Sequence, residues 1–241
     1  VSRVSFRAML SDLNGVDTTN LHKFDLVVVA TKTPGTSAAA RLASKLISSK
    51  GHVMTVQNGM GNQTELERAL GGDSSRVLVG VTSQSATSSS VTTPCGQQRQ
   101  HVFHTGLGPT SLAPVCPSAA PAAHAVAAML TEAGLETVAL PADALVAMQW
   151  GKLAVNASIN PLTAILGCRN GHLAAPGNAA SDNGHGAGLQ GIMSGLVAEV
   201  VAVAAASGVL LDGAATLKRC FEVASSTAGN TSSMLADVIR G

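Results

Sequence analysis

The chain has 241 residues, enough for one large domain or two modest ones with a buried core. Apolar residues make up 46% of it and charged residues only 12%, and 15 basic residues nearly balance 14 acidic ones. Because no run of lysine or arginine stands out, we expect no nucleic-acid partner. The four cysteines lie far apart and form no CxxC pair, which favours reduced, buried or half-buried thiols in a cytoplasmic protein.

Short, continuous apolar runs in the first half of the chain are typical of strands that are buried on both faces. They occupy residues 25–30, 52–57 and 76–81. Residues 37–48 and 65–70 lie between them and have the apolar spacing of helices. This alternation of strand and helix predicts an α/β domain with a parallel sheet.

The next segment predicts weaker elements. Residues 83–100 are rich in Ser, Thr and Gln and predict a loop or a weak edge strand. Residues 101–106 and 110–113 predict an antiparallel strand or hairpin. A helix at 122–133 and a last short strand at 136–140 complete this half of the chain.

From residue 143 onward the apolar pattern is helical almost to the end. A helix at 143–160 is expected to stop near Asn160, because Pro161 disfavours the α conformation in the residue before it. Two further helices are expected, at 194–207 and 213–223.

Two segments of this helical half need separate interpretation. Residues 174–188, composed mostly of Ala, Gly, Asn and Ser, predict a flexible surface loop. The most apolar stretch, residues 196–211, contains Glu199 and a Ser-Gly pair, and it is too short and too interrupted to cross a bilayer. We therefore expect a buried helix there and no membrane partner.

The clearest set of polar residues lies on the helix that begins at residue 143. Lys152, Asn156 and Asn160 are spaced i, i+4 and i+8, so their side chains share one helix face. An ammonium can polarise a carbonyl or donate a proton to it, and carboxamides can bind hydroxyl and carboxylate groups. The spacing alone leaves two interpretations open: the wall of a cleft for a small polar ligand, or a solvated helix face.

A second candidate site is the turn Gln57-Asn58-Gly59-Met60-Gly61 at the end of the second predicted strand. Ligands of open parallel sheets bind beyond the carboxyl ends of the strands, so Asn58 could contact a cofactor or substrate there. An ordinary Asn-Gly turn is the competing interpretation.

Two other patterns are rejected as sites. Residues 186–191 match GxGxxG, but small or polar residues rather than a buried strand precede them, so they predict no nucleotide site. His101 and His104 would point to opposite faces of a strand and have no Cys or acidic partner nearby, so we expect no metal.

Taken together and in this order, the motifs resemble the ketopantoate reductase (2-dehydropantoate 2-reductase) family. Residues 25–32 resemble its mid-Rossmann strand and lysine, and residues 57–61 its cofactor-and-substrate turn. Residues 150–163 and 170–173 resemble its catalytic helix and the segment that follows it. Residues 230–237 resemble its motif for the substrate carboxylate.

The resemblance implies NADPH-dependent reduction of 2-dehydropantoate to pantoate in pantothenate biosynthesis, in the cytoplasm, with a small 2-keto acid as substrate and a possible homodimer. It implies an α/β fold, with an incomplete NADP-binding Rossmann-like sheet domain at 1–142 followed by an all-helical substrate and catalytic domain at 143–241. The family's first βαβ unit, with its GxGxxG, and a glutamate beyond the position of Ser233 are expected to fall outside these 241 residues.

The resemblance also assigns roles to individual residues. Lys152 is the expected general acid, which protonates the ketone oxygen. The expected substrate-binding residues are Asn58, Asn156, Asn160, Asn170, Asn230 and Ser233. The expected contacts to NADPH are Lys32, Asn58 and the backbone around Ala86.

Two other functions remain open at this point. One is a truncated, non-catalytic remnant that binds a partner or substrate without turnover. The other is a reductase of a different small 2-keto acid.

Overall fold

The computed structural model describes residues 23–92, 95–96, 98–174 and 185–241. The chain divides into two compact units between Leu145 and Val146. The first unit contains the sheets and the second is helical.

Within the described residues, the first unit contains seven strands and three α-helices. In chain order they are β1 (Phe24–Val29), α1 (Thr36–Leu46), β2 (Ile47–Thr55), α2 (Asn62–Ala69), β3 (Val77–Thr82), β4 (Ser85–Thr92), β5 (Gln98–Gly106), β6 (Thr110–Pro114), α3 (Ala120–Glu132) and β7 (Thr137–Ala139). The main sheet has the order β1-β2-β3-β6-β7. Strands β1, β2 and β3 are parallel, β6 is antiparallel to β3, and β7 is parallel to β6.

Both faces of this sheet are buried, which explains the continuous apolar runs in the sequence. One face packs on α1 and α2, and its core includes Val29, Val53, Val77, Ala40, Ala43 and Leu66. The opposite face packs on α3, and its core includes Met54, Leu78, Leu112, Ala123 and Ala127. Alanine on the helices allows close approach to the branched residues of the strands. The predicted α/β fold with a Rossmann-like parallel sheet is therefore confirmed.

Residues 101–106 and 110–113 are antiparallel strands, one of the two predicted forms, but the other form, a hairpin between them, is wrong. Strand β5 forms a separate two-stranded antiparallel sheet with β4, in which Ala86 lies opposite His104. Strand β6 instead joins the main sheet beside β3, with Leu112 opposite Gly80. The local sequence marks both strands correctly but does not specify a partner, because pairing depends on the buried surface available elsewhere in the chain.

The part of the second unit that the structure describes contains four α-helices and a short 3-10 turn. Helix α4 (Ala144–Leu166) comes first in the chain. It is followed by the 3-10 turn at Asn170–Leu173, then by α5 (His185–Ala206), α6 (Gly213–Ser226) and α7 (Ser233–Arg240). The core shared by α4, the 3-10 turn, α5 and α6 comprises Ile159, Leu162, Leu173, Met193, Val197, Cys220 and Ala224. The helical C-terminal domain is also as predicted.

The expectation that α4 stops near Asn160 is wrong, because the helix continues through Pro161 to Leu166. The turn after the proline is anchored by Thr163, a fully buried residue whose hydroxyl lies 2.9 Å from the carbonyl oxygen of Ile159. Tertiary packing here outweighs the local preference against helix before proline.

Helix α5 begins nine residues before its predicted start at 194, whereas its end at Ala206 is one residue from the predicted end at 207. It begins at His185, so residues 186–191, the GxGxxG match, are helical, and so is the end of the predicted loop at 174–188. Residues 175–184 of that loop lie outside the described residues. The predicted buried helix at 196–211 is only partly correct, since the helix ends at Ala206 and the side chains of Val203 and Leu210 are 56% and 88% exposed.

By length and composition, one helix of the described ranges, Gly188–Ala206, could cross a membrane, and 17% of that window is buried. Apolar helices of soluble proteins pass the same test, so this observation is weak evidence for a membrane span. All four cysteines are free thiols, but Cys95 is exposed, which corrects the expectation that every thiol would be at least half-buried.

Candidate active site

The first candidate site lies at the carboxyl ends of β1 and β2. These neighbouring parallel strands end in register at Val29 and Thr55. The loop after β1 carries Lys32, whose side chain is exposed, and the loop after β2 carries Asn58, whose side chain is also exposed. Adjacent parallel strands thus place an ammonium and a carboxamide on loops at the same edge of the sheet.

The turn after β2 depends on two glycines. Gly59 and Gly61 have φ angles of 91° and 83°, in the left-handed region that residues with a Cβ rarely adopt. At both positions the space that a Cβ would fill is open for 4 Å. The backbone of this turn is therefore accessible to a ligand, as the sequence pattern suggested for a glycine-rich turn.

Side-chain hydrogen bonds hold this turn in place. Asn62, a buried residue at the start of α2, donates from Nδ2 to the carbonyl oxygen of Asn58 at 3.1 Å. Gln57 donates from Nε2 to the carbonyl oxygen of Thr31, in the loop after β1, at 2.8 Å. These bonds fix the backbone of the turn, and the side chain of Asn58 is exposed.

Ala86, the third residue predicted to contact a cofactor, lies elsewhere in the topology. It is an exposed residue of β4, in the two-stranded sheet, whereas Lys32 and Asn58 follow strands of the main sheet. The sequence did not reveal this separation because residues 83–100 carry no clear pattern.

The second candidate site lies in the helical unit, on α4. Because α4 is continuous, Lys152, Asn156 and Asn160 do share one face, and all three are partly buried. Burial lowers the pKa of Lys152 below that of an ordinary lysine. A fully solvated helix face would leave these side chains exposed, whereas all three are partly buried.

The N-terminal end of α7 packs against this part of α4. Asn160 donates from Nδ2 to the hydroxyl of Ser233 at 3.4 Å. Next to this pair, the hydroxyls of Thr163 and Ser232 lie 2.7 Å apart, and both residues are buried. Asn160 and Ser233, two residues predicted to bind the same ligand, are therefore brought together.

Asn170 and Asn230, also predicted to bind substrate, are joined through their backbones. The amide N–H of Asn170 donates to the carbonyl oxygen of Asn230 at 3.1 Å. Asn170 is 8% exposed and donates from Nδ2 to the hydroxyl of Thr227 at 2.9 Å, but among the residues that the structure describes its buried Oδ1 has no hydrogen-bond partner. A buried amide oxygen without a partner is costly, and it is suited to accept a hydrogen bond from a ligand.

Three residues that shape these sites were not identified from the sequence. Thr163 and Ser232 fix the N-terminal end of α7, and Gln57 connects the two loops of the first unit. Ser232 had a local indication, because it is the N-cap residue of α7 and accepts the Leu235 amide N–H. The other two act through contacts between segments that are distant in the chain.

Within the described ranges, no cluster of three or more His, Cys, Asp or Glu side chains could hold a metal ion. His101 and His104 both lie on β5 and have different surroundings. The His101 ring packs edge-on against Phe103, and His104 Nε2 lies 2.7 Å from the side-chain oxygen of Gln84.

Comparison with known proteins matches both units to one family. The family model described as ketopantoate reductase PanE/ApbA matches residues 3–116, and the model described as its C-terminal region matches residues 144–241. The 2-dehydropantoate 2-reductase of Halobacterium salinarum is 33% identical over 221 residues, which cover 90% of this chain and 64% of the relative. The chain thus spans about two thirds of the length of the curated relatives it matches.

Solved structures agree with this assignment. The 2-dehydropantoate 2-reductase of Geobacter metallireducens is 28% identical with a TM-score of 0.66, covering 91% of this chain and 66% of the other. A D-mandelate dehydrogenase bound to NADH and anilino(oxo)acetate has the same fold, with a TM-score of 0.76 at 23% identity, covering 95% of this chain and 66% of the other. The chain belongs to the ketopantoate reductase family.

Proposed function

We propose that this protein reduces 2-dehydropantoate to pantoate with NADPH, as a step of pantothenate biosynthesis, and that Lys152 is the general acid. The observation that carries the proposal is the surroundings of Lys152: a partly buried ammonium whose pKa burial lowers, on the same helix face as Asn156 and Asn160. Names of relatives at about 30% identity support the reaction class.

The chemistry requires one proton from the protein. A reduced nicotinamide, held by Lys32 and Asn58, would supply the hydride that C2 of the keto acid accepts, and negative charge would then develop on the ketone oxygen. The Lys152 ammonium donates its proton to that oxygen, and the product is the 2-hydroxy acid. A lowered pKa makes Lys152 a stronger acid near neutral pH than an ordinary lysine, since the pKa of a general acid is best matched to the working pH.

The amides and hydroxyls of the second unit would orient the substrate. Asn160, Ser233 and Asn156 offer hydrogen bonds to the carboxylate and the ketone. The unpartnered Oδ1 of Asn170 accepts a hydrogen bond, and among the polar groups of 2-dehydropantoate only the terminal hydroxyl donates one. Asn230, bonded to Asn170 through its backbone, completes this side of the proposed site.

The residues of the first unit fit a nicotinamide dinucleotide. The Lys32 ammonium suits phosphate, the Asn58 carboxamide suits ribose or nicotinamide amide groups, and the open space at Gly59 and Gly61 permits close approach to the backbone. Ala86 on β4 would contribute backbone only. Preference for NADPH over NADH is part of the proposal and is measured as the ratio of kcat/KM for the two cofactors.

The test is a spectrophotometric assay of NADPH oxidation with 2-dehydropantoate. Lys152→Ala should lower kcat by about 10²–10⁴-fold, the usual contribution of a positioned acid. Lys218→Ala, which removes an exposed lysine of α6 in the same unit, is the matched control and should keep the wild-type rate. An undiminished rate in Lys152→Ala would refute the assigned role.

This assay, together with calorimetry, separates the alternatives. Turnover of 2-keto acids without the terminal hydroxyl at equal kcat/KM would indicate a reductase of a different keto acid. Calorimetric binding of keto acid without turnover would indicate a non-catalytic remnant.

We place this reaction in the cytoplasm, since four free thiols suit a reducing compartment. The homodimer that the sequence suggested stays a prediction, and light scattering of the purified chain will decide it.

A further inference from the structure

A chain of hydrogen bonds connects the two loops at the carboxyl ends of β1 and β2. The Thr55 hydroxyl donates to Gln57 Oε1 at 3.1 Å. Gln57 Nε2 donates to the Thr31 carbonyl oxygen at 2.8 Å and to the Thr36 hydroxyl at 2.7 Å. The Thr36 hydroxyl donates to Asn62 Oδ1 at 3.2 Å, and Asn62 Nδ2 donates to the carbonyl oxygen of Asn58.

Only one direction of donation satisfies this chain. Carbonyl oxygens accept and cannot donate, so the atoms facing the carbonyls of Thr31 and Asn58 must be the NH₂ groups of Gln57 and Asn62. The Thr36 hydroxyl, which accepts from Gln57, then has its own proton available for Asn62 Oδ1. Donors that point the same way polarise one another, so loss of one member weakens the rest.

The network spans four parts of the first unit. Thr55 ends β2, Thr36 begins α1, Asn62 begins α2, and Gln57 lies in the loop between β2 and α2. Thr55, Thr36 and Asn62 are buried, so water cannot readily replace a lost partner. The network ends at Asn58, an exposed residue whose side chain is proposed to contact the cofactor.

We infer that Gln57 is a positioning residue, which fixes the Asn58 turn and the loop of Lys32 in the conformation that binds the nicotinamide cofactor. A turn with two glycines at positive φ loses much backbone freedom when it becomes ordered. The Gln57 network orders the turn before the ligand binds, so the free energy of binding does not include the entropic cost of ordering the turn. This inference rests on the proposed function and adds to it a residue that would not touch the ligand.

The experiment uses two variants that remove the network without changing side-chain shape much, Gln57→Leu and Thr36→Val. Ile47→Val is the control, because it removes one buried methylene at the opposite end of β2 and lowers stability without touching the network. The first measurement is hydrogen–deuterium exchange of peptides covering residues 56–66 in the ligand-free chain. The second is the Kd for NADPH by calorimetry.

We expect amide exchange in residues 56–66 to become about three- to tenfold faster in Gln57→Leu and Thr36→Val, the scale of one lost hydrogen bond, and to stay at the wild-type rate in Ile47→Val. The Kd for NADPH should rise by the same factor in the two network variants only. Because both variants break one chain, the double variant should bind NADPH about as weakly as the weaker single variant.

Three results would overturn the inference: wild-type exchange in Gln57→Leu, equal acceleration in Ile47→Val, or faster exchange with an unchanged Kd for NADPH. A wild-type chain that binds no NADPH would refute the proposed cofactor instead. In that case the hydrogen–deuterium exchange data alone would test whether Gln57 orders the turn.

Discussion

The hydroxyl groups of Thr163 and Ser232 lie 2.7 Å apart, although 69 residues separate them in the chain. Thr163 is on α4, one turn after Ile159, and Ser232 is the N-cap residue of α7. Of the residues of α7, Leu235 is the buried one, so this hydroxyl pair and Leu235 together hold the helix to the unit. The position of Ser233 relative to Asn160 depends on this attachment.

Replacement of Thr163 by valine should therefore loosen α7. Thr163→Val keeps the shape of the side chain but removes the bond between residue 163 and the buried Ser232 hydroxyl, which keeps only its bond to the Leu235 amide N–H, at a cost of about 1–3 kcal/mol in the free energy of unfolding. Urea denaturation measures this loss, and the KM for the keto acid should rise with it. Thr64→Val, at an exposed position of α2, is the control and should change stability by less than about 0.5 kcal/mol. Equal stability of the two variants would contradict the role of the hydroxyl pair.

The sequence predicted those features that depend on local periodicity. The buried strands β1, β2 and β3 follow from runs of Val and Leu, and the common face of Lys152 and Asn160 follows from helical spacing. Neither conclusion needs knowledge of any distant segment.

What the sequence did not predict depends on distant partners. The continuation of α4 through Pro161 reflects packing of the following turn, and the pairing of β5 with β4 rather than β6 reflects which edge is available. The hydrogen bonds of Gln57 and Thr163 likewise join loops and helices that no short window of sequence relates. Physical rules for short segments give propensities, and tertiary contacts decide among them.

Gly171 should tolerate no larger residue. A Cβ at this position would lie 2.7 Å from the Cβ of Ala228 and 3.0 Å from its carbonyl oxygen, so Gly171→Ala must push the 3-10 turn away from residue 228. We expect a loss of about 1–3 kcal/mol in unfolding free energy and a higher KM for the keto acid, because Asn170 moves with the turn.

Gly195→Ala is the matched control for this prediction. Gly195 is exposed within α5, and a Cβ added there would have no neighbouring atom within 4 Å, so alanine should stabilise the helix by up to about 1 kcal/mol. If Gly171→Ala were as stable as Gly195→Ala, the close contact with Ala228 would not restrict the size of residue 171. Thermal denaturation of both variants makes the comparison.

Asn170→Asp should be destabilising in a pH-dependent way. The introduced carboxyl group would be buried, so its pKa would rise in the folded chain above the value of about 3.9 in the unfolded chain. The folded state then binds more protons between these two values, and stability falls as pH rises through that range. At pH 8 the charged group should cost about 3–5 kcal/mol, and less at pH 5.

Urea denaturation at pH 5 and pH 8 checks this prediction against Asn58→Asp. Asn58 is exposed, so an aspartate there should change stability little and equally at both pH values. If Asn170→Asp lowered stability equally at both pH values, residue 170 would be solvated in the variant. The Oδ1 atom of Asn170 would then no longer support a ligand site at this position.

Lys152→Met should lower kcat as much as Lys152→Ala and yet stabilise the protein near neutral pH. Burial lowers the pKa of Lys152 from the ordinary value of 10.5, so between the two values the unfolded chain binds more protons than the folded chain. The stability of the wild type therefore rises as pH rises through this range, whereas methionine has no charge to bury. The advantage of Lys152→Met should be largest at pH 7 and should shrink by pH 10.

Denaturation midpoints at pH 7 and pH 10 provide the measurement, with Lys218→Met as the control. Lys218 is exposed on α6, so its replacement should leave stability within about 0.5 kcal/mol at both pH values. A Lys152→Met variant that is less stable than the wild type at pH 7 would mean that the ammonium contributes more through its contacts than it loses through burial. In that case the lowered pKa could not be the property that suits Lys152 to proton donation. A gain in stability at pH 7 that fades by pH 10 would instead show that burial of the charged lysine costs stability. The same burial lowers the pKa that its proposed role as a proton donor requires.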